Sequence, residues 1–139
     1  MPPHLKTVAI PLIQDQSGFG DPALKDEFSN ELVRLFTNDN TLSLTDRDNA
    51  DSVLDVVIVR VTEAPVVVNP GEQVAQRRLT VTARVTFSDI KLRKKVYEKD
   101  ISQWGDYPSG GGLSQRAAGM TEAIRKLTED ILNETVAGW

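Results

Sequence analysis

Ten residues, Arg78-Leu79-Thr80-Val81-Thr82-Ala83-Arg84-Val85-Thr86-Phe87, alternate without a break between polar and apolar side chains. Successive side chains of a strand point to opposite faces, so this pattern describes a strand with one dry and one wet side. Leu79, Val81, Ala83, Val85 and Phe87 share the dry side, while Thr80, Thr82, Arg84 and Thr86 share the wet one. Clean alternation belongs to a sheet covered on one face only, usually an antiparallel one. The uncovered face is the place to look for function.

The flanking segments fit such a sheet. Leu5 to Ile13 reads as a first strand, with Pro11 favouring an edge or a strand end because proline cannot donate to a ladder. Asp21-Pro22 starts a helix as an N-cap carboxylate followed by proline in the first turn. Leu24, Phe28, Leu32, Leu35 and Phe36 give that helix an apolar stripe, which ends in Thr37-Asn38-Asp39-Asn40. Leu42-Ser43-Leu44 is a short strand, and Ser52 to Thr62 reads as a central strand apolar on both faces. Gln73 to Ser88 contains the alternating segment, Asp89 to Lys94 is a basic turn, and Val96 to Trp104 is the last strand. A Gly-rich connection, Pro108 to Gly112, leads to a helix from about Ser114 to Val136 with Leu113, Ala117, Met120, Ile124, Leu127 and Ile131 on one side. Its wet side offers the pairs Glu122/Lys126, Arg125/Glu129 and Lys126/Asp130. The expected fold is α+β, with two amphipathic helices packed on one face of a four- to five-stranded, mostly antiparallel (mixed) sheet. One domain spans residues 1–139, with residues 1–4 as a disordered tail.

Charge singles out one part of this sheet. The chain as a whole carries −4, yet Arg77 to Lys99 holds eight basic and two acidic residues, a local +6. A concentrated basic hairpin in an acidic protein points to an anionic partner. Lysines that guard a sheet edge against unwanted pairing explain the same charges without any ligand.

Much chemistry is absent. There is no cysteine, which removes disulfides, thiolate metal sites and cysteine nucleophiles. His4 is the one histidine and falls in the expected tail, so neither a catalytic triad nor a zinc site is anticipated. Asp46, Asp48 and Asp51 begin like a calcium loop, but Ala50, Asp51 and Val57 stand where an acceptor, a glycine and a glutamate are needed. Gly110-Gly111-Gly112 lacks the Gly-Lys-Ser/Thr ending of a phosphate loop. Asn133-Glu134-Thr135 matches a glycosylation sequon within an expected helix, a coincidence. No metal, no cofactor and no enzymatic activity are expected. Sheets that read RNA stack bases on exposed aromatic residues, and the wet side of the alternating strand has none, so no nucleic acid is expected either.

Nearly the whole chain resembles the LptE family of lipopolysaccharide-assembly lipoproteins, in its Bacteroidota and Chlorobi form. Lys6-Thr7-Val8-Ala9-Ile10-Pro11 is similar to the family's first strand, and Pro22, Leu24, Phe28, Glu31-Leu32 and Phe36 to its first helix. Leu42, Leu44 and Ala50-Asp51 lead into a strand in the same way. Arg78-Leu79-Thr80-Val81-Thr82 with Val85, Phe87 and Asp89 resembles its most recognisable strand, and Glu129-Asp130-Ile131 with Asn133, Val136 and Trp139 its ending. The resemblance implies a lipoprotein at the periplasmic face of the outer membrane that plugs an LptD-like β-barrel and helps to deliver lipopolysaccharide (LPS). It also implies membrane association through an N-terminal lipid anchor. The family's signal peptide and lipidated cysteine are not in this sequence, and Met1-Pro2-Pro3 just before the first strand suggests a chain trimmed to its soluble part. The residues expected to meet LPS or the barrel are Arg77, Arg78, Arg84, Lys91, Arg93, Lys94 and Lys95. The alternative is an accessory periplasmic lipoprotein of another envelope transport or secretion system.

Overall fold

The computed structural model describes residues 3–66 and 75–137. Its elements run β1 (Thr7–Ala9), β2 (Gln14–Asp15), α1 (Pro22–Asp39), β3 (Ser43–Leu44), β4 (Ser52–Val66), β5 (Gln76–Asp89), β6 (Lys94–Pro108) and α2 (Leu113–Val136), with a single 3-10 turn at Arg47–Asn49. One six-stranded sheet takes the order β3-β1-β4-β5-β6, and β2 pairs with β4 off that path. The α+β expectation holds, with one strand more than foreseen. Of the segment read as one strand from Leu5 to Ile13, only Thr7–Ala9 is strand, and through it β1 pairs with Ser52 and Val53. The chain leaves the ladder around Pro11 and pairs again only beyond Ile13, where β2 meets Val57 and Ile58. Beyond Ile58 that edge of β4 meets no strand among the described residues.

Long antiparallel pairing joins β4, β5 and β6, and its register fixes which side chains share a face. Val56 lies opposite Val85 and Leu54 opposite Phe87, whereas Asp55 faces Thr86. The register shifts at Val59, so Arg60 meets Thr82 and the apolar phase of β4 passes to Val61. This shift, together with buried Val53, is why β4 reads as apolar on both faces: Val57 and Val59 are only half-buried. Its helix-free face is less covered than the sequence suggested. The sequence ended this strand at Thr62; the ladder carries it to Val66, opposite Gln76.

Both helices lie on the side of Leu79, Val81, Ala83, Val85 and Phe87. The carboxylate of Asp21 accepts from the amide of Ala23 at 3.0 Å and starts α1, whose Leu24, Phe28, Leu32 and Phe36 are buried. Asn40 in the left-handed region, φ 60°, ends α1 with its N–H on the carbonyl of Phe36. From α2, Met120, Ala123, Ile124, Leu127 and Ile131 enter the same core. Burying each large aliphatic or aromatic side chain contributes roughly 1.5–3 kcal/mol.

Close approach of α2 to β6 depends on Gly105, where a Cβ would lie 1.7 Å from the carbonyl oxygen of Gly119. Helix and strand backbones therefore touch. Of the three wet-side pairs read from the sequence, Arg125–Glu129 forms at 2.8 Å and Arg125 also binds Glu122. Lys126 instead donates to the backbone carbonyl of Trp104, and Asp130 accepts from Gln103, because β6 lies close enough to compete with the helix's own partners.

Candidate functional site: a paired sheet face and a cationic hairpin tip

On the helix-free face, β5 and β6 are matched side chain to side chain. Arg78 donates twice to Asp106, at 2.8 and 3.0 Å, and Arg84 twice to Asp100, at 3.0 and 3.3 Å. Thr82 and Ser102 share a hydrogen bond of 2.7 Å, and the Thr86 hydroxyl donates to Glu98 at 2.8 Å. Bidentate guanidinium–carboxylate geometry fixes direction as well as charge. The bond from Arg78 holds the Asp106 carboxyl below its ordinary range, and bonds from Thr86 and Lys95 do the same for Glu98. Trp104 stands on this face, 39% exposed, with the Arg78 guanidinium 4.8 Å and the Lys126 ammonium 4.7 Å from its ring centre. Along β5 and β6 this face is polar, and its arginines are neutralised within the sheet.

Cationic character without such matching is found at the β5–β6 turn. The amide of Arg93 bonds to the carbonyl of Ile90 at 3.3 Å, and Arg93 sits in the left-handed region at φ 52°. Asp89, only 2% exposed, holds this turn from inside: its Oδ1 accepts from the amide of Leu92 at 2.9 Å and its Oδ2 lies 2.5 Å from Nε2 of His4. Burial raises the Asp89 carboxyl, but the bonds from His4 and the turn amides outweigh it and leave the group below its usual value. The turn projects Lys91, Leu92 and Arg93 outward, with Ile90 partly exposed beside them. Lys91 lies 3.2 Å from the largely buried Asp51, and Lys95 3.3 Å from Glu98 in an exposed pair. Among the described residues neither Arg93 nor Lys94 has an ion-pair partner.

The seven residues expected to act together thus occupy three places. Lys91, Arg93, Lys94 and Lys95 gather at the tip. Arg84 and Arg78 lie five and eleven residues back along β5, roughly 17 and 36 Å from Asp89 at the rise of a strand. Arg77 is opposite Tyr107, on the helix side of the sheet. There Glu63 accepts a forked pair of bonds from Arg116, at 2.5 and 3.1 Å, and one from the Tyr107 hydroxyl. Those partners, Arg116 foremost, bring the Glu63 carboxyl down to about 2. Arg116 also covers the ring of Phe19 at 4.9 Å.

His4, expected in a free tail, is tied to Asp89; residues 1 and 2 of that tail lie outside the described residues. The sequence reading missed the acids of β6 that neutralise the arginines, and it missed Ile90 and Leu92 as part of the tip. An open depression of about 700 Å³ between β2 and α1, lined by Leu12, Asp15, Gly18, Asp21 and Lys25 among others, brings no nucleophile–base pair together. Among the described residues no three histidine, cysteine or acidic side chains gather as a metal site. No helix of theirs is long and apolar enough to cross a membrane, which leaves membrane-spanning strands untouched.

The family profile LptE, described as lipopolysaccharide-assembly, matches residues 5–135, nearly the whole chain. The chain belongs to the LptE family. With that membership comes a role in LPS assembly at the cell envelope. No curated protein matches the chain by sequence. Among solved structures, it is similar to the hypothetical protein CT253 from Chlamydia trachomatis (16% identity, 94% of this chain and 95% of that one, TM-score 0.70). It is also similar to a minor lipoprotein from Acinetobacter baumannii (15% identity, 96% and 94%, TM-score 0.63) and to the rare lipoprotein B from Shewanella oneidensis (16% identity, 91% and 94%, TM-score 0.55). At these identities the structural likeness establishes the shared fold of two helices on a mixed sheet.

Proposed function

We propose that this LptE-family chain is a non-enzymatic component of LPS assembly at the periplasmic side of the outer membrane. In this reading its helix-free sheet face seats against an LptD-like β-barrel, and its hairpin cations meet LPS. The observation that carries the proposal is the pairing of Arg78 with Asp106 and Arg84 with Asp100 across a polar face. The lumen of a membrane barrel is polar, and a plug for it needs fixed polar groups rather than an apolar patch. Internally matched ion pairs present such a surface without leaving a charge to be buried alone.

LPS carries phosphates and carboxylates on a lipid. The assigned contacts are Lys91, Arg93, Lys94 and Lys95, since Arg93 and Lys94 have no competing carboxylate among the described residues. Arg78 and Arg84 are assigned to the barrel wall, and Arg77, beside the Glu63 network, to neither. Two of the similar structures are named lipoproteins, which supports attachment through an N-terminal lipid anchor. His4 would bring the chain from that anchor into the fold at the hairpin end. Co-purification from outer membranes tests the proposal. A β-barrel protein recovered with the wild-type chain, and lost on Arg78→Glu with Arg84→Glu, is the expected result. Recovery of a different envelope transporter in place of a barrel would favour an accessory role in another system.

A further inference from the structure

We infer that the β5–β6 turn is a membrane-inserting tip that binds the surface of an anionic phospholipid bilayer through Lys91, Arg93, Lys94 and Lys95 while Ile90 and Leu92 enter its interface. It deepens the reading above, because it uses the same cations, but it requires neither LPS nor a barrel.

A solvated turn has no need of large aliphatic side chains, yet here Ile90 is 39% and Leu92 56% exposed. They are interleaved with cations: Lys91 stands between them, and Arg93, Lys94 and Lys95 follow at once. Apolar side chains set among basic ones are the composition of segments that lie in a charged lipid interface, with the cations at the headgroups and the apolar groups at the acyl boundary. A purely polyanionic partner would use the cations alone and leave Leu92 in water.

The turn is built to be presented. Asp89 is buried beneath it, caps the amide of Leu92 and is engaged by His4, so the loop is ordered before it meets anything. The competing pair of Lys95 with Glu98 is exposed and of the weak surface kind, whereas Lys91, itself exposed, reaches a largely buried Asp51. Lys95 can turn to a lipid phosphate at little cost, and Arg93 and Lys94 start with no ion pair to break. Elsewhere among the described residues Trp104 lies as a single ring between Arg78 and Lys126, and Leu12 and Leu113, the most exposed of all, share their depressions with one cation each, Lys25 and Arg116.

Sedimentation of the full chain with vesicles tests this. Phosphatidylglycerol vesicles should carry it down at least tenfold better than phosphatidylcholine vesicles, and raised salt should weaken the binding. Ile90→Ser with Leu92→Ser should reduce the partition by tenfold or more. Arg93→Glu with Lys94→Glu should abolish it. All four positions are exposed, and an unchanged urea midpoint confirms that each variant folds. In a second measurement, Leu92→Trp should show a blue-shifted emission with phosphatidylglycerol vesicles and not with phosphatidylcholine. Equal sedimentation with both lipids overturns the inference, and so does wild-type binding by the double serine variant, which would mark a superficial electrostatic contact. An unshifted Leu92→Trp spectrum overturns it as well. Vesicle binding with no barrel recovered from membranes would sink only the barrel reading, and the converse only this one.

Discussion

Arg84 and Asp100 face each other across β5 and β6, with Nε 3.0 Å from Oδ1 and Nη2 3.3 Å from Oδ2. Both side chains are about half exposed, so solvent screens the pair and folding gains little from it. Its effect is on charge: it silences an arginine that would otherwise mark this face as basic. Asp100→Asn should therefore leave the urea midpoint unchanged while raising retention of the chain on a polyanionic resin. Retention unchanged by Asp100→Asn would show that Arg84 presents no more charge without its partner than with it.

Glu63 gives the fold an acid-sensitive joint. Its carboxyl lies at about 2 in the folded chain against an ordinary value near 4.5, first through the Arg116 bonds. A depressed carboxylate stabilises the folded state above its unfolded pKa and loses that contribution as pH falls towards the folded one. Stability should accordingly decline between about pH 5 and pH 2, by up to about 3 kcal/mol from this group. Glu63→Gln should be less stable at pH 7 and flatter over that window. Urea unfolding at a series of pH values reads both effects.

The two glycines where α2 meets β6 should respond unequally to alanine. At Gly105 the new Cβ would strike the backbone carbonyl of Gly119 at 1.7 Å, and backbone cannot swing aside. At Gly119 the nearest atom is Cδ1 of the Tyr107 ring at 3.1 Å, a side chain able to shift slightly. Gly105→Ala should cost about 3 kcal/mol or more through displacement of the helix. Gly119→Ala should stay within about 1 kcal/mol of wild type, since helix propensity favours alanine by nearly that amount. Equilibrium unfolding of the two variants gives the comparison.

Asp89 should matter more to the turn than its exposed neighbours do. Replacing it by alanine leaves the Leu92 amide without its acceptor and removes the partner of His4. A loss of about 1–3 kcal/mol is expected. Hydrogen exchange should locate the change, with amide protection falling at Leu92 before it falls in β5.

The dry side of β5, the N-cap at Asp21 and the apolar stripes of both helices could be read from the sequence because each is set by local periodicity or by one capping residue. The partners of the arginines could not. An unbroken hairpin closing Asp89 on Lys94 would place Arg84 opposite Lys99, a like charge. The register shift at Val96 moves it by one residue to Asp100 and likewise brings Arg78 to Asp106. Nothing in Val96 itself announces that shift, so a segment of +6 looked like a basic face when half of that face is balanced by the next strand. Ile90 and Leu92 escape the sequence for the opposite reason: in a basic turn two aliphatic residues look incidental until their exposure is seen.

Along β4 the edge that runs on past Ile58, unpaired among the described residues, is a template on which another copy of the same strand could be laid. That stretch carries Arg60, Glu63 and Pro65. A proline offers no amide to an incoming ladder, and a charged residue resists being pressed against a neighbour. The chain thus holds its own insurance against fibre growth, and a variant that put valine at Arg60 and Pro65 would be expected to gel where the natural sequence stays in solution.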